Sequence, residues 1–395
     1  MTELNTFDAV VVGGGPAGAT AATHLARRGF SVLLLDRAGR IKPCGGAVPP
    51  RLMAEFEIPD SLLVARITKA RMIAPSNQYV DIPIEGGYVG MVNRSTFDEW
   101  LRERARAAGA ERRTGTFETF ERDENGVAVI HYKDSDGNPA AVKARAVIGA
   151  DGAQSAIGRQ AVPGADKLKY VFAYHEFVRT PDQPPAGYEA DRCDVYYQGP
   201  LSPDFYAWVF PHGDTVSIGT GTALKGFSMR QAVTDLRKTI GLDSAETLRQ
   251  EGAPIPMEPL KVWDNGRDVL LAGDAAGVVA PASGEGIYYA MVGGRLAGEA
   301  VADFLISGKP KALASARRRF MKAHGNVFRV LGVMQSFWYS NDNRRERFVS
   351  ICRDKDVQQL TFDAYMNKEL VKAKPLAHVR IFLKNIAHLT GLIKA

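Results

Sequence analysis

Residues 7–12, Phe-Asp-Ala-Val-Val-Val, form an apolar run that stops at a cluster of glycines. A short run of this kind, rich in β-branched residues, predicts a buried strand. The small-residue segment from Ala17 to Arg28 has helical character, and Ser31 to Asp36 reads as a second buried strand. Strand, helix and strand in this order predict a βαβ unit with a right-handed crossover. Ser95 to Ala108 carries helix signals, with Ser95 or Thr96 as cap, Asp98 and Glu99 in the first turn and Gly109 as stop. Alternating segments at Val127 to Tyr132 and Ala141 to Ile148 predict a hairpin turned at Asp136-Gly137-Asn138.

From Tyr170 to Gly221, aromatic and β-branched residues are broken by Pro and Gly clusters, as expected of an antiparallel sheet that serves as the substrate layer. Val269 to Ala272 predicts a further buried strand, running into a Gly-rich turn and a small-residue helix. The chain is therefore expected to return to its first domain. The pattern predicts an α/β protein with a discontinuous dinucleotide-binding domain (1–65, 94–165, 267–305), a sheet domain (66–93, 166–266) and a helical, basic region (306–395). Near the end, Phe382, Leu383, Ile386, Leu389 and Ile393 recur at helical spacing, with Arg380, Lys384, His388 and Lys394 largely off that stripe. A basic amphipathic helix of this kind can lie in an anionic membrane interface.

Length and composition agree with several interleaved domains: 395 residues, 45% hydrophobic and 24% charged, exceed what one core usually organises. The net charge of +6 alone selects no partner, and no zinc-finger spacing, aromatic RNA-binding signature or sustained N-terminal basic helix points to nucleic acid. Cys44, Cys193 and Cys352 cannot all pair within one chain and lack the spacing of a metal site, so no metal is expected. A reducing cytoplasm fits this usage. The first strand begins too early to leave room for a cleavable signal, and no stretch reaches the roughly 18 apolar residues of a spanning helix. The expectation is a cytoplasmic protein, or one peripheral on the cytoplasmic face of a membrane.

The first candidate chemistry is Gly13-Gly14-Gly15-Pro16-Ala17-Gly18, placed between strand and helix. There Gly13 permits a tight turn, Gly15 lets backbone approach a pyrophosphate, and Gly18 lets the helix pack on the strand. Pro16 and Ala17 open a helix whose N-terminus offers amides and partial positive charge to an anion. Asp36, ending the second strand, can accept hydrogen bonds from ribose hydroxyls, with Arg37 beside it.

Later motifs decide which dinucleotide is expected. Gly149-Ala150-Asp151-Gly152 and Ala272-Gly273-Asp274-Ala275-Ala276-Gly277 each follow a strand, the second ahead of Pro281 and Gly284-Glu285-Gly286-Ile287. This order resembles the glutathione-reductase-type FAD fold in its aromatic-hydroxylase branch. The resemblance implies FAD, with Asp274 on the ribityl chain and Gly284, Gly286 and Ile287 presenting backbone to the flavin. The alternative for Asp274 is a helix N-cap. Asp151 departs from the pattern, because Gly158 stands where an Arg is expected and Arg159 follows, so its role can be simply to hold the turn.

Two segments narrow the resemblance. Lys42-Pro43-Cys44-Gly45-Gly46-Ala47-Val48-Pro49-Pro50 is similar to the loop of geranylgeranyl reductases, especially their chlorophyll branch. Tyr206-Ala207-Trp208-Val209-Phe210-Pro211, with Gly219 and Gly221 beyond, resembles their substrate-side signature. Strand alternation puts Tyr206, Trp208 and Phe210 on one face as an apolar wall. The resemblance implies Cys44, Gly45 and Ala47 beside the flavin, Arg94 near its phosphates, and reduction of isolated double bonds in a geranylgeranyl chain. The substrate would be a prenylated pigment, bacteriochlorophyll first, or a prenyl diphosphate, with an archaeal-type prenyl lipid as the alternative, and NADPH as reductant or a ferredoxin-type donor in its place.

An unpolarised alkene needs a hydride on one carbon and a proton on the other, and Cys44 and Tyr206 are the candidate acids. An aromatic hydroxylase shares the glycine and Gly-Asp motifs, but the Cys44 loop argues against it. A prenyl escort protein without working flavin is opposed by the intact Gly13, Gly15, Gly18, Asp36 and Asp274.

Overall fold

The computed structural model describes residues 4–37, 41–85 and 87–362, with backbone alone for 359–362. The amphipathic segment predicted from Val379 lies outside the described residues. In chain order the strands are β1 (Thr6–Val12), β2 (Val32–Asp36), β3 (Ala47–Val48), β4 (Leu63–Ile67), β5 (Lys69–Ile73), β6 (Tyr79–Pro83), β7 (Val89–Val92) and β8 (Glu111–Arg122). They continue as β9 (Ala128–Asp134), β10 (Pro139–Gly149), β11 (Tyr170–Arg179), β12 (Arg192–Tyr196), β13 (Ala207–His212), β14 (Thr215–Thr222), β15 (Thr247–Pro256) and β16 (Val269–Leu271). The helices are α1 (Pro16–Arg27), α2 (Pro50–Glu55), α3 (Arg94–Ala107), α4 (Ala156–Ala161), α5 (Met229–Thr239), α6 (Ile287–Ser307), α7 (Ser315–Trp338), α8 (Asp342–Ile351) and α9 (Lys355–Phe362).

The described residues divide into two compact units. The first draws on 4–42, 94–170 and 254–325, the second on 43–93, 171–253 and 326–362. Residues 43–65, expected with the dinucleotide-binding domain, fall in the second unit, because β4 pairs with β7 there. The region after 306 is shared between the units rather than standing apart.

In the first unit β2, β1, β10 and β16 run parallel, with β8 parallel to β2 and β9 joining β8 and β10 as an antiparallel arm. The predicted hairpin is the β9–β10 turn, where Asp134 Oδ1 accepts from the amides of Asp136 and Asn138. Val10, Val11, Leu33 and Leu34 are fully buried, which explains their unbroken apolar runs. Helix α1 lies against α6 at backbone distance: a β-carbon at Gly294 would overlap the Ala17 carbonyl, and one at Gly298 would stand 3.1 Å from that of Ala21. Small residues along both helices make that approach possible.

Helix α3 begins at Arg94, so neither Ser95 nor Thr96 caps it, and no acid lies in its first turn. Asp98 and Glu99 instead pair with arginines, Asp98 with Arg94 and Glu99 with Arg102 and Arg112.

In the second unit a seven-stranded sheet runs β15-β11-β14-β13-β12-β5-β6. It is antiparallel in β11, β14, β13 and β12, as expected, but β12 pairs β5 in parallel. That pairing joins segments over a hundred positions apart, beyond the reach of local periodicity. One face carries Tyr174, Val178, Val209, Val216 and Ile218 into a core shared with Val233 and Leu236 of α5. The other face carries His175, Trp208, Phe210 and Ser217. Phe210 packs there against Ile67, Val89 and Met91, which belong to the small β3-β7-β4 sheet. Among the described residues no helix is long and apolar enough to cross a membrane.

Candidate functional site

In the first unit, β1 ends at a turn where Gly13 has φ +105 and a β-carbon would overlap the Ala150 carbonyl. A β-carbon at Gly18 would likewise overlap Gly13. Beside Gly15 nothing lies within 4 Å, and Gly15 heads α1 with no side-chain cap and no acid in the first turn. Pro16 follows at the first helical position, and both Pro16 and Ala17 are buried. The arrangement leaves open space in front of an uncapped helix N-terminus, which favours an anion.

Asp36 ends β2, and its Oδ2 accepts from Arg102 Nη1 at 3.2 Å, which also donates to the Gly14 carbonyl at 3.3 Å. Glu99 takes the rest of the Arg102 guanidinium at 2.8 and 3.0 Å and is gripped by Arg112 at 2.6 and 2.8 Å. Chiefly through Arg112, the Glu99 carboxyl is held at about 2. Arg102 went unnoticed in the sequence because Glu99 and Arg102 at i,i+3 look like an ordinary surface pair. Arg37 is exposed.

Arg94 is buried at the start of α3, with its guanidinium forked onto Asp98 at 2.9 and 2.7 Å.

Asp274 lies in a single tight turn, Gly273–Ala276, whose N-cap is Ala272. The loop 277–286 separates it from α6, so it is not the cap of the small-residue helix. Its buried carboxylate accepts from Lys42 Nζ, a partner 232 positions earlier that the sequence did not suggest. Oδ1 also stands 3.8 Å from where a Gly286 β-carbon would be. Gly286 heads α6 with no side-chain cap and no acid in the first turn, Gly284 has φ +66, and Ile287 is buried. The first unit thus offers two uncapped helix starts, an acid at a strand end and a buried carboxylate, a set of amide donors and carboxylate acceptors that fits a dinucleotide with a polyol chain.

Asp151 performs a local task. Its carboxylate accepts from Ser155 Oγ at 2.5 Å and from the amides of Ala156 and Ile157 at 2.6 and 3.2 Å, tying down the start of α4. Burial pushes its carboxyl up while these donors pull it down.

In the second unit the two distinctive motifs pack on each other. A β-carbon at Gly45 would stand 3.2 Å from the Phe210 ring, and one at Gly46 would stand 2.7 Å from His212 Nε2. Cys44 Sγ accepts from the Gly46 amide at 3.4 Å, and Cys44 is half-buried whereas Cys193 and Cys352 are buried. Ala47 pairs with Met91 between β3 and β7. His212, absent from the sequence reading, is buried; desolvation pushes its imidazole down to about 4. Its position directly after the Phe-Pro pair was the available signal.

Tyr206, Trp208 and Phe210 do form one row, with ring centroids 6.0 and 6.1 Å apart. Tyr206 precedes β13, is half-buried, and stacks on Phe205 at 4.2 Å. Trp208 is 6% exposed, the covered centre of the row, and Pro211 is buried behind it. Gly219 and Gly221 are filled positions: β-carbons there would clash with the rings of Trp208 and Phe205.

The FAD binding domain family matches residues 6–322. The geranylgeranyl diphosphate reductase of Rhodobacter capsulatus is 60% identical over 98% of each chain, and the Synechocystis enzyme of the same name is 37% identical over 96% of this chain and 97% of its own. A solved structure from Thermoplasma acidophilum, described as geranylgeranyl bacteriochlorophyll reductase-like, superposes with a TM-score of 0.81 at 22% identity, covering 95% of this chain and 100% of its own. The structural likeness bears on fold alone, and it agrees with the FAD-binding architecture expected from the ordered glycine and Gly-Asp motifs. With the domain match spanning most of the chain and close identity running almost end to end, this chain belongs to the geranylgeranyl reductase family of FAD-dependent oxidoreductases.

Proposed function

We propose that this chain saturates isolated double bonds of a geranylgeranyl chain, carried by a bacteriochlorophyll or as the diphosphate, with NADPH as hydride donor. The packing of the Cys44-Gly45-Gly46 loop onto Phe210 and His212 carries the reading, because it joins a thiol to an aromatic strand in one layer. The name of the Rhodobacter relative supports it.

FAD, when bound and reduced, supplies a hydride. In the first unit, Gly13, Gly15, Pro16, Ala17 and Gly18 are assigned to the pyrophosphate, Asp36 and Arg37 to the ribose end, and Arg94 to the phosphates. Asp274 is assigned to the ribityl chain, and Gly284, Gly286 and Ile287 present backbone to the flavin. In the second unit, Cys44, Gly45 and Ala47 are assigned to the flavin ring. Tyr206, Trp208, Phe210 and Pro211 are assigned to the prenyl chain, with Gly219 and Gly221 seating the rings that form that wall. Cys44 and Tyr206 hold the transferable proton. A C20 substrate drawn from a lipid phase agrees with peripheral membrane contact through the C-terminal segment.

Anaerobic incubation with NADPH and, separately, geranylgeranyl pigment, geranylgeranyl diphosphate and an archaeal-type prenyl lipid tests the reading. A product heavier by two hydrogens per reduced bond is expected for one of the first two. Oxygen-dependent hydroxylation without alkene reduction would refute it.

A further inference from the structure

Trp208 is nearly covered, so its indole N–H must find an acceptor within the protein. Nε1 donates to Ser217 Oγ at 3.2 Å, on β14. Ser217 Oγ is in turn 3.0 Å from His175 Nδ1 on β11, and His175 Nε2 is 3.3 Å from Glu251 Oε2 on β15. Glu251 is anchored by Arg249, 2.5 Å away, whose guanidinium lies over the Phe177 ring at 4.3 Å. All of these groups belong to the second unit, and His175 and Ser217 are buried.

The Glu251 carboxylate sets the direction of the chain. Tryptophan can only donate, so Ser217 accepts from it; with the His175 ring hydrogen on Nε2, the side of the Glu251 carboxylate, Nδ1 is left to accept the single serine hydrogen. The serine uses its one donor and an acceptor lone pair. Gly219 completes the arrangement, since any side chain there would collide with Trp208 and with His175 Cβ.

We propose that Ser217, His175 and Glu251 form a positioning chain that fixes the plane of the Trp208 indole and, through it, the spacing of Tyr206 and Phe210. The inference rests on the assignment of that aromatic row to the prenyl chain. None of the three touches substrate; they act through Trp208. A fixed indole holds a tail that offers no polar handle, so a loose one costs binding and alignment before it alters flavin chemistry.

The test uses the flavin-loaded enzyme and geranylgeranyl diphosphate. The indole Raman band that reports N–H hydrogen bonding is isolated for Trp208 by difference against Trp208→Phe. Ser217→Ala is expected to move that band to its unbonded position and to raise KM about tenfold, as loss of one buried hydrogen bond would. Flavin content and the rate of flavin reduction by NADPH should stay at the parent level. Ser217→Thr should restore both band and KM. If Ser217→Ala does not fold, His175→Asn, which keeps an acceptor near Nδ1, is compared with His175→Leu, and only the second should move the band. An unmoved band, or a moved band with parental KM, overturns the proposal. Failure of the parent enzyme to reduce any prenyl substrate would refute the functional reading instead, while the band shift still decides whether the chain exists.

Discussion

Gly46 lies directly under His212: with φ +71, a β-carbon at Gly46 would stand 2.5 Å from the Val92 carbonyl and 2.7 Å from His212 Nε2. Gly46→Ala is therefore expected to destabilise the second unit by about 1–3 kcal/mol through backbone strain and this overlap. Urea unfolding measures the loss, and alkene reduction should fall with it because the Cys44 loop is displaced. A variant as stable as the parent would show that the loop can shift freely.

The same histidine predicts a pH dependence. Its folded-state pKa of about 4 lies below the ordinary 6.5, chiefly because burial disfavours the charged ring. Unfolding therefore takes up a proton. The stability it contributes is complete above pH 6.5 and is lost as pH falls toward 4, on the order of 3 kcal/mol across that window. His212→Gln should show a flatter stability profile between pH 6.5 and 4, as read from urea midpoints.

The chain is expected to hold FAD non-covalently, so denaturation should release all the colour. Asp274→Ala should lose flavin by ~1–3 kcal/mol, the contribution of a hydrogen bond to a charged group. It also strands Lys42, the partner of that carboxylate. Flavin content after gel filtration measures the effect, and full occupancy would remove Asp274 from the flavin site.

Cys44→Ser should retain flavin and slow reoxidation by alkene while leaving flavin reduction by NADPH at the parent rate. Serine preserves size but changes acidity in a side chain that accepts from the Gly46 amide. Rapid mixing separates the two steps. Equal rates in both would make Cys44 a packing residue.

Deleting residues 376–395 should abolish co-sedimentation with anionic vesicles while flavin is retained, if the basic amphipathic segment is the membrane contact. Undiminished binding would place that contact elsewhere.

The chain's own pattern determined the βαβ start, the hairpin at 136–138 and the strand entering Gly273-Asp274, because apolar periodicity and glycine position act over a few residues. It also supplied the motifs that mark the family, including the aromatic row, since strand alternation alone puts Tyr206, Trp208 and Phe210 on one side. Only the tertiary structure decided what those side chains meet. Lys42 reaches Asp274, Arg102 reaches Asp36, and Ser217 and His175 reach Trp208 across sheet and loop. It likewise showed Gly219 to be the seat of an indole, and set His212 against Gly46. Polar partners of this kind leave no trace in periodicity, because hydrogen bonds and ion pairs depend on distance in space between residues that chain order keeps far apart.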